Sequence, residues 1–365
     1  MYSAPVSPAP SSSTTTSSTQ ELIELKAKLD AASLPQDLRQ KVEEMLRRIK
    51  RMVDSGSYSK EYDSLAHYAE WIVALPWGKF TEDKIDLASA KQILDSTHYG
   101  MQEPKDRILE YLSILKLKEN SDTSLNQEKL RAPAIFLVGL VGTGKTTFAY
   151  ALARAMGRTF ARIPFGGLGS ARDLRGRSRL FPESEPGAIV KALRNAGSSN
   201  PVLLLDEIDR VADDQRADIM GVLVELLDPT QNNRFLDHYL DYPLDLSQVL
   251  FVATANNTTS VATAVLDRLE VITMPSYTDD EKIHIAKEFL FPRILHLSGL
   301  NSSQLQIDPA VWPQIVRPLG YDAGIRTLER TIEGIARKAA RQIVEGSTNA
   351  VAVNTENVKE YVKSY

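Results

Sequence analysis

Ile135-Phe136-Leu137-Val138-Gly139-Leu140-Val141-Gly142-Thr143-Gly144-Lys145-Thr146-Thr147 is the stretch that decides the fold. Four apolar residues come first, then G-x-x-x-x-G-K-T, then a helical pattern opening at Phe148. Strand, loop and helix in that order separate a phosphate-binding loop from a Gly-rich turn that binds nothing. Glycines let backbone N–H groups close around phosphate oxygens, and the start of the following helix adds partial positive charge at the same place. Lys145 reaches the β- and γ-phosphates as a compact cation, and the Thr146 hydroxyl can ligate Mg²⁺. The chain is therefore expected to bind a nucleoside triphosphate, with Gly139, Leu140, Val141, Gly142, Thr143, Gly144, Lys145 and Thr146 as the cradle.

Downstream, apolar runs alternate with helical patterns. A helix is expected over 146–156 and a strand over 160–164. The run Val202-Leu203-Leu204-Leu205 then ends in Asp206-Glu207. A continuous apolar run is how a buried parallel strand reads, and ligands gather at strand carboxyl ends in open α/β sheets. Asp206 is thus expected to hold Mg²⁺, mostly through water, and Glu207 to polarise the attacking water. A third run over 249–256 ends in Asn256, and a short strand over 271–274 completes an expected five-stranded parallel sheet. Helical patterns over 278–290, 308–316 and 322–344 follow, suggesting a separate helical lid.

Upstream, residues 1–19 are Ser/Thr/Pro-rich without a charged side chain, a composition expected to stay disordered. Apolar stripes through Leu22, Leu25 and Leu29, then Leu38 to Val53, then Tyr62 to Leu75 predict a helical neck with an aromatic core. A helix over 87–94 and another over 104–117 lead to a polar loop over 120–131. The expected divisions are a tail (1–19), a neck or arm (20–95), a nucleotide-binding α/β subdomain (96–275) and a lid (276–365).

Bulk properties narrow the function. A formal charge of −4 argues against a dedicated nucleic-acid binder. No apolar run is long enough to span a bilayer, so no membrane partner is expected. The absence of cysteine excludes disulfides, thiolate zinc sites and a cysteine nucleophile in these residues. Neither a secretory h-region nor an Arg-rich presequence is present, so the default placement is cytoplasmic.

Further phrases carry a resemblance: HYGMQEPKDRILEYL from His98, LLLDEIDR from Leu203, LLDPTQN from Leu226, FLDHYLD from Phe235, VLFVATANN from Val249, VLDRLEVI from Val265 and AGIRTLER from Ala323. With the P-loop they resemble the AAA+ ATPase module of the Lon protease family, from about residue 20 to the C-terminus. The resemblance implies that His98, Tyr99 and Gly100 lie near the adenine and that Asn256 is a sensor for the attacking water. It also implies that Arg268 is an arginine finger inserted into a neighbouring subunit's site, and that Arg326 is a second sensor on the lid. A finger supplied in trans implies a homo-oligomeric ring, a hexamer by family. Phe181 falls where the family carries the aromatic of its substrate-gripping pore loop, which makes unfolded or misfolded proteins the expected substrates. Pro182 replaces an aliphatic residue there, and Leu140 and Val141 replace the family's Pro pair.

The family's Ser-Lys peptidase motif does not occur, nor does its large N-terminal substrate domain. The five histidines show no metal-ligand spacing, and neither H-E-x-x-H nor G-x-S-x-G is present. The expectation is an ATP- and Mg²⁺-dependent protein-remodelling motor without intrinsic peptidase activity. The alternatives are an ATPase serving a peptidase on a separate chain, a nucleic-acid-associated AAA+ loader, and a nucleotide-dependent scaffold. The acidic balance and the Leu266-Asp267-Arg268 context weigh against the loader, and the intact catalytic set weighs against the scaffold.

Overall fold

The structure, a computed structural model, describes residues 12–55, 60–119, 133–181, 183–317 and 324–362. The expectations for residues 1–11, the polar loop over 120–131, Pro182 and the stretch 318–323 lie outside the described residues. Nine strands are assigned there: β1 Ala134–Val138, β2 Phe160–Pro164, β3 Val202–Asp206, β4 Phe235–Asp237, β5 Tyr242–Leu244, β6 Leu250–Ala255, β7 Leu269–Thr273, β8 Leu305–Ile307 and β9 Val351–Val353. The main sheet has the five strands that the alternation of apolar runs and helices implied, and their order is β2–β3–β6–β1–β7. The chain groups into two compact units, 1–84 with 157–252 and 262–268, and 85–156 with 253–261 and 269–365.

In the first unit, helices Ser12–Ala31, Gln36–Asp54 and Lys60–Ala74 pack on one another. The first starts at Ser12 rather than at Gln20, ahead of its apolar stripe. Once a helix is nucleated, each added residue gains a hydrogen bond, so even indifferent Ser and Thr extend it. The second buries Leu38, Val42, Leu46, Ile49 and Val53 along one face. Each such side chain is worth about 1.5–3 kcal/mol at most. Tyr68 is fully buried, donates its hydroxyl proton to the Leu240 carbonyl at 2.8 Å, and has the Arg179 guanidinium 3.8 Å from its ring centre. β2 and β3 run parallel, from Phe160 beside Val202 to Pro164 beside Asp206. All five β3 residues are buried, the reason this strand reads as unbroken apolar sequence.

In the second unit β1 and β7 run parallel, from Ala134 beside Leu269 to Val138 beside Thr273. β7 starts before the expected residue 271 because it is an edge strand. Leu269 and Ile272 are buried while Glu270 and Thr273 are not, so its polar beginning hides it from a search for apolar runs. Helix Lys145–Met156 buries Phe148, Ala149, Ala151, Leu152 and Ala155. Helix Leu87–Thr97 starts on Asp86, whose carboxylate accepts the Ser89 N–H at 2.8 Å.

The later helices of this unit are Asp279–Ile285, Phe291–Leu297, Trp312–Val316 and Arg326–Val344, with β8 and β9 as a parallel pair. Thr278 and Glu281 form a reciprocal capping box at the first of them. A wide turn of π geometry, Ala286–Leu290, joins the first two. Pro292 follows at once; its ring lacks an N–H and would clash with the carbonyl four residues back in a regular helix. The last long helix buries Leu328, Ile332, Ile335, Ala336 and Ala339. Among the described residues no helix is long and apolar enough to cross a membrane.

Candidate nucleotide site

The loop between β1 and helix Lys145–Met156 is held by its own geometry. Gly142 and Gly144 adopt φ of +83° and +93°, values an L side chain resists. At Gly139 a Cβ would stand 2.5 Å from the Met274 carbonyl oxygen, so only hydrogen fits. The Gly139 N–H donates to the Ala255 carbonyl at 3.2 Å, and the Met274 N–H to the Val138 carbonyl at 2.7 Å. The buried Thr143 hydroxyl donates to the Leu140 carbonyl at 2.9 Å. Leu140 and Val141 stay exposed, consistent with a cradle that does not depend on these two side chains.

Lys145 is buried, and a buried ammonium needs acceptors for its protons. It donates to the Gly139 carbonyl at 2.6 Å, the Leu140 carbonyl at 3.0 Å and the Asn256 side-chain carbonyl at 3.1 Å. The last contact joins two residues singled out separately in the sequence. Thr146 lies in the first turn of the same helix, where N–H groups and helix dipole favour an anion.

His98 lies against this loop. Its Nε2 is 3.0 Å from the Thr147 hydroxyl and 3.4 Å from the Gly144 carbonyl, and its ring meets Phe148 edge-on at 5.0 Å. Burial pushes its pKa down to about 4, from the usual 6.5, so at neutral pH the ring is uncharged and braces the loop. Tyr99 stacks on His284 with ring centres 4.0 Å apart. Gly100 adopts φ of +64°, and a Cβ there would meet the Glu281 carboxylate at 2.5 Å.

The beginning of helix Arg326–Val344 is docked on the same loop. The Ile325 N–H donates to the Gly142 carbonyl at 3.1 Å. A Cβ on Gly324 would stand 2.5 Å from both the Gly142 carbonyl carbon and the Val141 carbonyl oxygen. Sequence reading picked Arg326 and missed Gly324; the only trace was the small residue in Ala323-Gly324-Ile325-Arg326.

Asp206, Glu207, Arg268 and Phe181 belong to the first unit. Asp206 ends β3, is buried, and accepts Arg162 Nε at 2.7 Å from the neighbouring β2. Glu207 follows in the left-handed conformation, φ +59° and ψ +52°. For a non-glycine residue this costs about 1–2 kcal/mol and marks a position held by its surroundings. Arg268 donates to the Ala264 carbonyl at 2.7 Å and through two nitrogens to the Asp228 carboxylate at 3.0 and 3.3 Å. The Thr230 hydroxyl and N–H, with smaller help from Arg268, hold the Asp228 pKa down at about 2. Asp228 falls in the phrase LLDPTQN but was given no role there, and nothing in the sequence pattern marked Arg162. Phe181 is 60% exposed.

Among the described residues no cluster of three or more His, Cys, Asp or Glu side chains could hold a metal ion alone. A hydroxyl at Thr146 and a carboxylate at Asp206 are hard oxygen donors. Each by itself is the kind of donor that Mg²⁺ takes, since this ion keeps several waters and draws its other ligands from phosphates. The glycine cradle, which side chains would fill, fits a triphosphate.

Residues 135–277 match the family described as "ATPase family associated with various cellular activities (AAA)", and residues 296–351 match the "Lon protease AAA+ ATPase lid domain". The chain is 41% identical over 339 residues to the Lon protease of Halothermothrix orenii, covering 93% of this chain and 42% of that protein. It is 43% identical over 334 residues to the Lon protease of Chloroflexus aurantiacus, covering 91% and 40%. Lon protease 2 of Thermus thermophilus is 40% identical over 346 residues, covering 94% and 43%. The chain thus spans about two fifths of the length of these curated relatives.

Proposed function

The chain belongs to the Lon family through its AAA+ ATPase and lid modules, and we propose that it is a Mg²⁺-dependent ATPase motor that grips and unfolds proteins. The observation that carries this reading is the over-determined loop from Gly139 to Thr147, with Lys145 hydrogen-bonded to Asn256 and Gly324 seated on Gly142. In this reading residues 96–275 form the nucleotide subdomain and 276–365 the lid. The loop N–H groups and Lys145 bind the triphosphate, and His98, Tyr99 and Gly100 border the base. Thr146 and Asp206 would hold Mg²⁺, which when bound neutralises charge on the phosphate oxygens. Glu207 takes the proton of the attacking water, and Asn256 orients that water. Arg326 reaches the nucleotide from the lid.

Arg268 acts in the site of a neighbouring copy. Its hydrogen bonds to Asp228 and Ala264 support a fixed finger presented to another molecule. Phosphoryl transfer is mainly positioning and charge stabilisation, and a finger supplied in trans is worth about 10³–10⁵ in rate. The assembly is accordingly a closed ring, a hexamer by family, and Phe181 on each copy contacts an extended polypeptide in its channel. Sizing with and without ATP and Mg²⁺, while measuring turnover against protein concentration, tests the shared site. Turnover per chain should rise with assembly, and equal activity in a strictly monomeric protein would overturn the reading.

A second reading is favoured by the relatives, which are named proteases and are more than twice as long as the matched region. Here the motor feeds a peptidase carried by residues other than these 365. Casein cleavage by this chain alone would contradict that assignment.

A further inference from the structure

Resting on the reading of Phe181 as a grip, we infer that the cleft beside it selects polypeptide segments carrying carboxylates. The cleft measures about 570 Å³, within the usual range of ligand sites, and is lined by Arg172, Arg175, Arg177, Ser178, Phe181 and His238. Its three guanidinium groups differ in commitment. Arg175 is ion-paired with Glu225 and lies 5.4 Å from the Phe235 ring centre. Arg172 and Arg177 are exposed, and among the described residues neither has an ion pair. The cleft therefore presents two cations without an ion pair beside a largely exposed aromatic ring.

The walls are tied down, so the charges are placed before any ligand arrives. The His238 N–H donates to the Arg175 carbonyl at 2.7 Å, and the Arg177 N–H to the Glu185 carbonyl at 3.0 Å. Asp237, fully buried, accepts the Gly187 N–H at 2.8 Å, and Arg179 is seated on Tyr68. At Gly187 a Cβ would stand 2.0 Å from the Leu174 carbonyl oxygen, so the strands of the loop close tightly at its base. Preorganisation of this kind lowers the ordering cost of binding.

Charge placement also separates a peptide from a nucleic acid. A second cleft of about 560 Å³ shares Arg172 and Arg177 but is lined by Asp173, Glu183, Glu185 and Asp218 as well. A phosphate backbone running past the two arginines would meet these acids, and the chain as a whole carries −4. A discrete side-chain carboxylate, next to an apolar residue held by Phe181, needs only the first cleft, which no acidic side chain lines. Arginine forks suit it geometrically.

The test uses the whole assembled chain carrying Glu207→Gln and loaded with ATP and Mg²⁺. Three unstructured peptides share length and aromatic content and differ only in bearing Asp/Glu, Asn/Gln or Lys. Fluorescence anisotropy should show the acidic peptide bound about fivefold tighter than the uncharged one, with the basic one weakest. Raising the salt should shrink the difference. Adding Arg172→Gln with Arg177→Gln should remove it, while Arg172→Lys with Arg177→Lys should keep part of it and shows that the loop still folds. Equal affinities for the three peptides, a preference surviving in the Gln pair, or displacement of the acidic peptide by a single-stranded oligonucleotide at similar concentration would each overturn the inference. Failure of the underlying grip looks different: Phe181→Ala would then leave all three peptides bound as tightly as before.

Discussion

The nucleotide loop and the loop that carries Phe181 are both Gly-rich, yet they are built in opposite ways. The first is clamped along its length: Gly139, Gly142 and Gly144 have no room or no allowed backbone for a side chain, and Lys145 is buried among oxygen acceptors. The second is clamped only at its base, through Gly187, Asp237 and Arg179, and leaves Leu180 and Phe181 in solvent. The difference teaches what each chemistry needs. Charge stabilisation of a phosphoryl group fails if donors move by a fraction of an ångström. Gripping a chain of varied sequence needs a fixed stem and an adaptable apolar tip.

The contrast is open to attack at four points, taken here from the largest effect down. Lys145→Ala should weaken nucleotide binding by about 100-fold or more, measured with a fluorescent ATP analogue, because the cation proposed to bind the phosphates is gone. Retained affinity would show that the loop's rigidity serves something other than phosphate. Gly324→Val should raise the KM for ATP by about tenfold, since a core overlap of that size costs about 1–3 kcal/mol. The overlap falls on the Gly142 backbone itself. An unchanged KM would mean that the lid contact does not shape the cradle.

Phe181→Ala should instead lower the amount of protein unfolded per ATP consumed by about fivefold, as expected for a lost aromatic anchor. A change confined to ATP affinity would blur the distinction between the two loops. The smallest effect concerns pH. The buried His98 ring titrates at about 4 in the folded protein and near 6.5 in the unfolded chain. The native state therefore binds fewer protons between these values, and stability falls as pH drops through that window. The contribution is about 1 kcal/mol between pH 6 and pH 5. Melting curves of wild type and His98→Gln should converge as pH falls through this range, and parallel pH profiles would contradict a buried neutral imidazole.

The strands, the phosphate loop and the acids at the end of β3 were legible because their signals are local. Apolar runs bounded by polar residues mark β1, β3 and β6, and a fixed glycine spacing marks the cradle. β7 was only partly legible, because Glu270 near its start interrupts the apolar residues. Other pairings in the site left no local trace. Asp228 is 40 positions from Arg268, and Arg162 is 44 from Asp206. Neither type nor spacing connects them in one dimension.

The sequence by itself determined an α/β fold with a nucleotide-binding loop, because a phosphate cradle is made by consecutive residues whose backbone freedom is written in glycine. Tertiary structure alone decided that Gly324 shapes the cradle, that Asp228 holds Arg268, and that Arg172 and Arg177 line one cleft with Phe181 and without an ion pair. Those facts depend on which distant side chains meet, and meeting is settled by packing rather than by order along the chain.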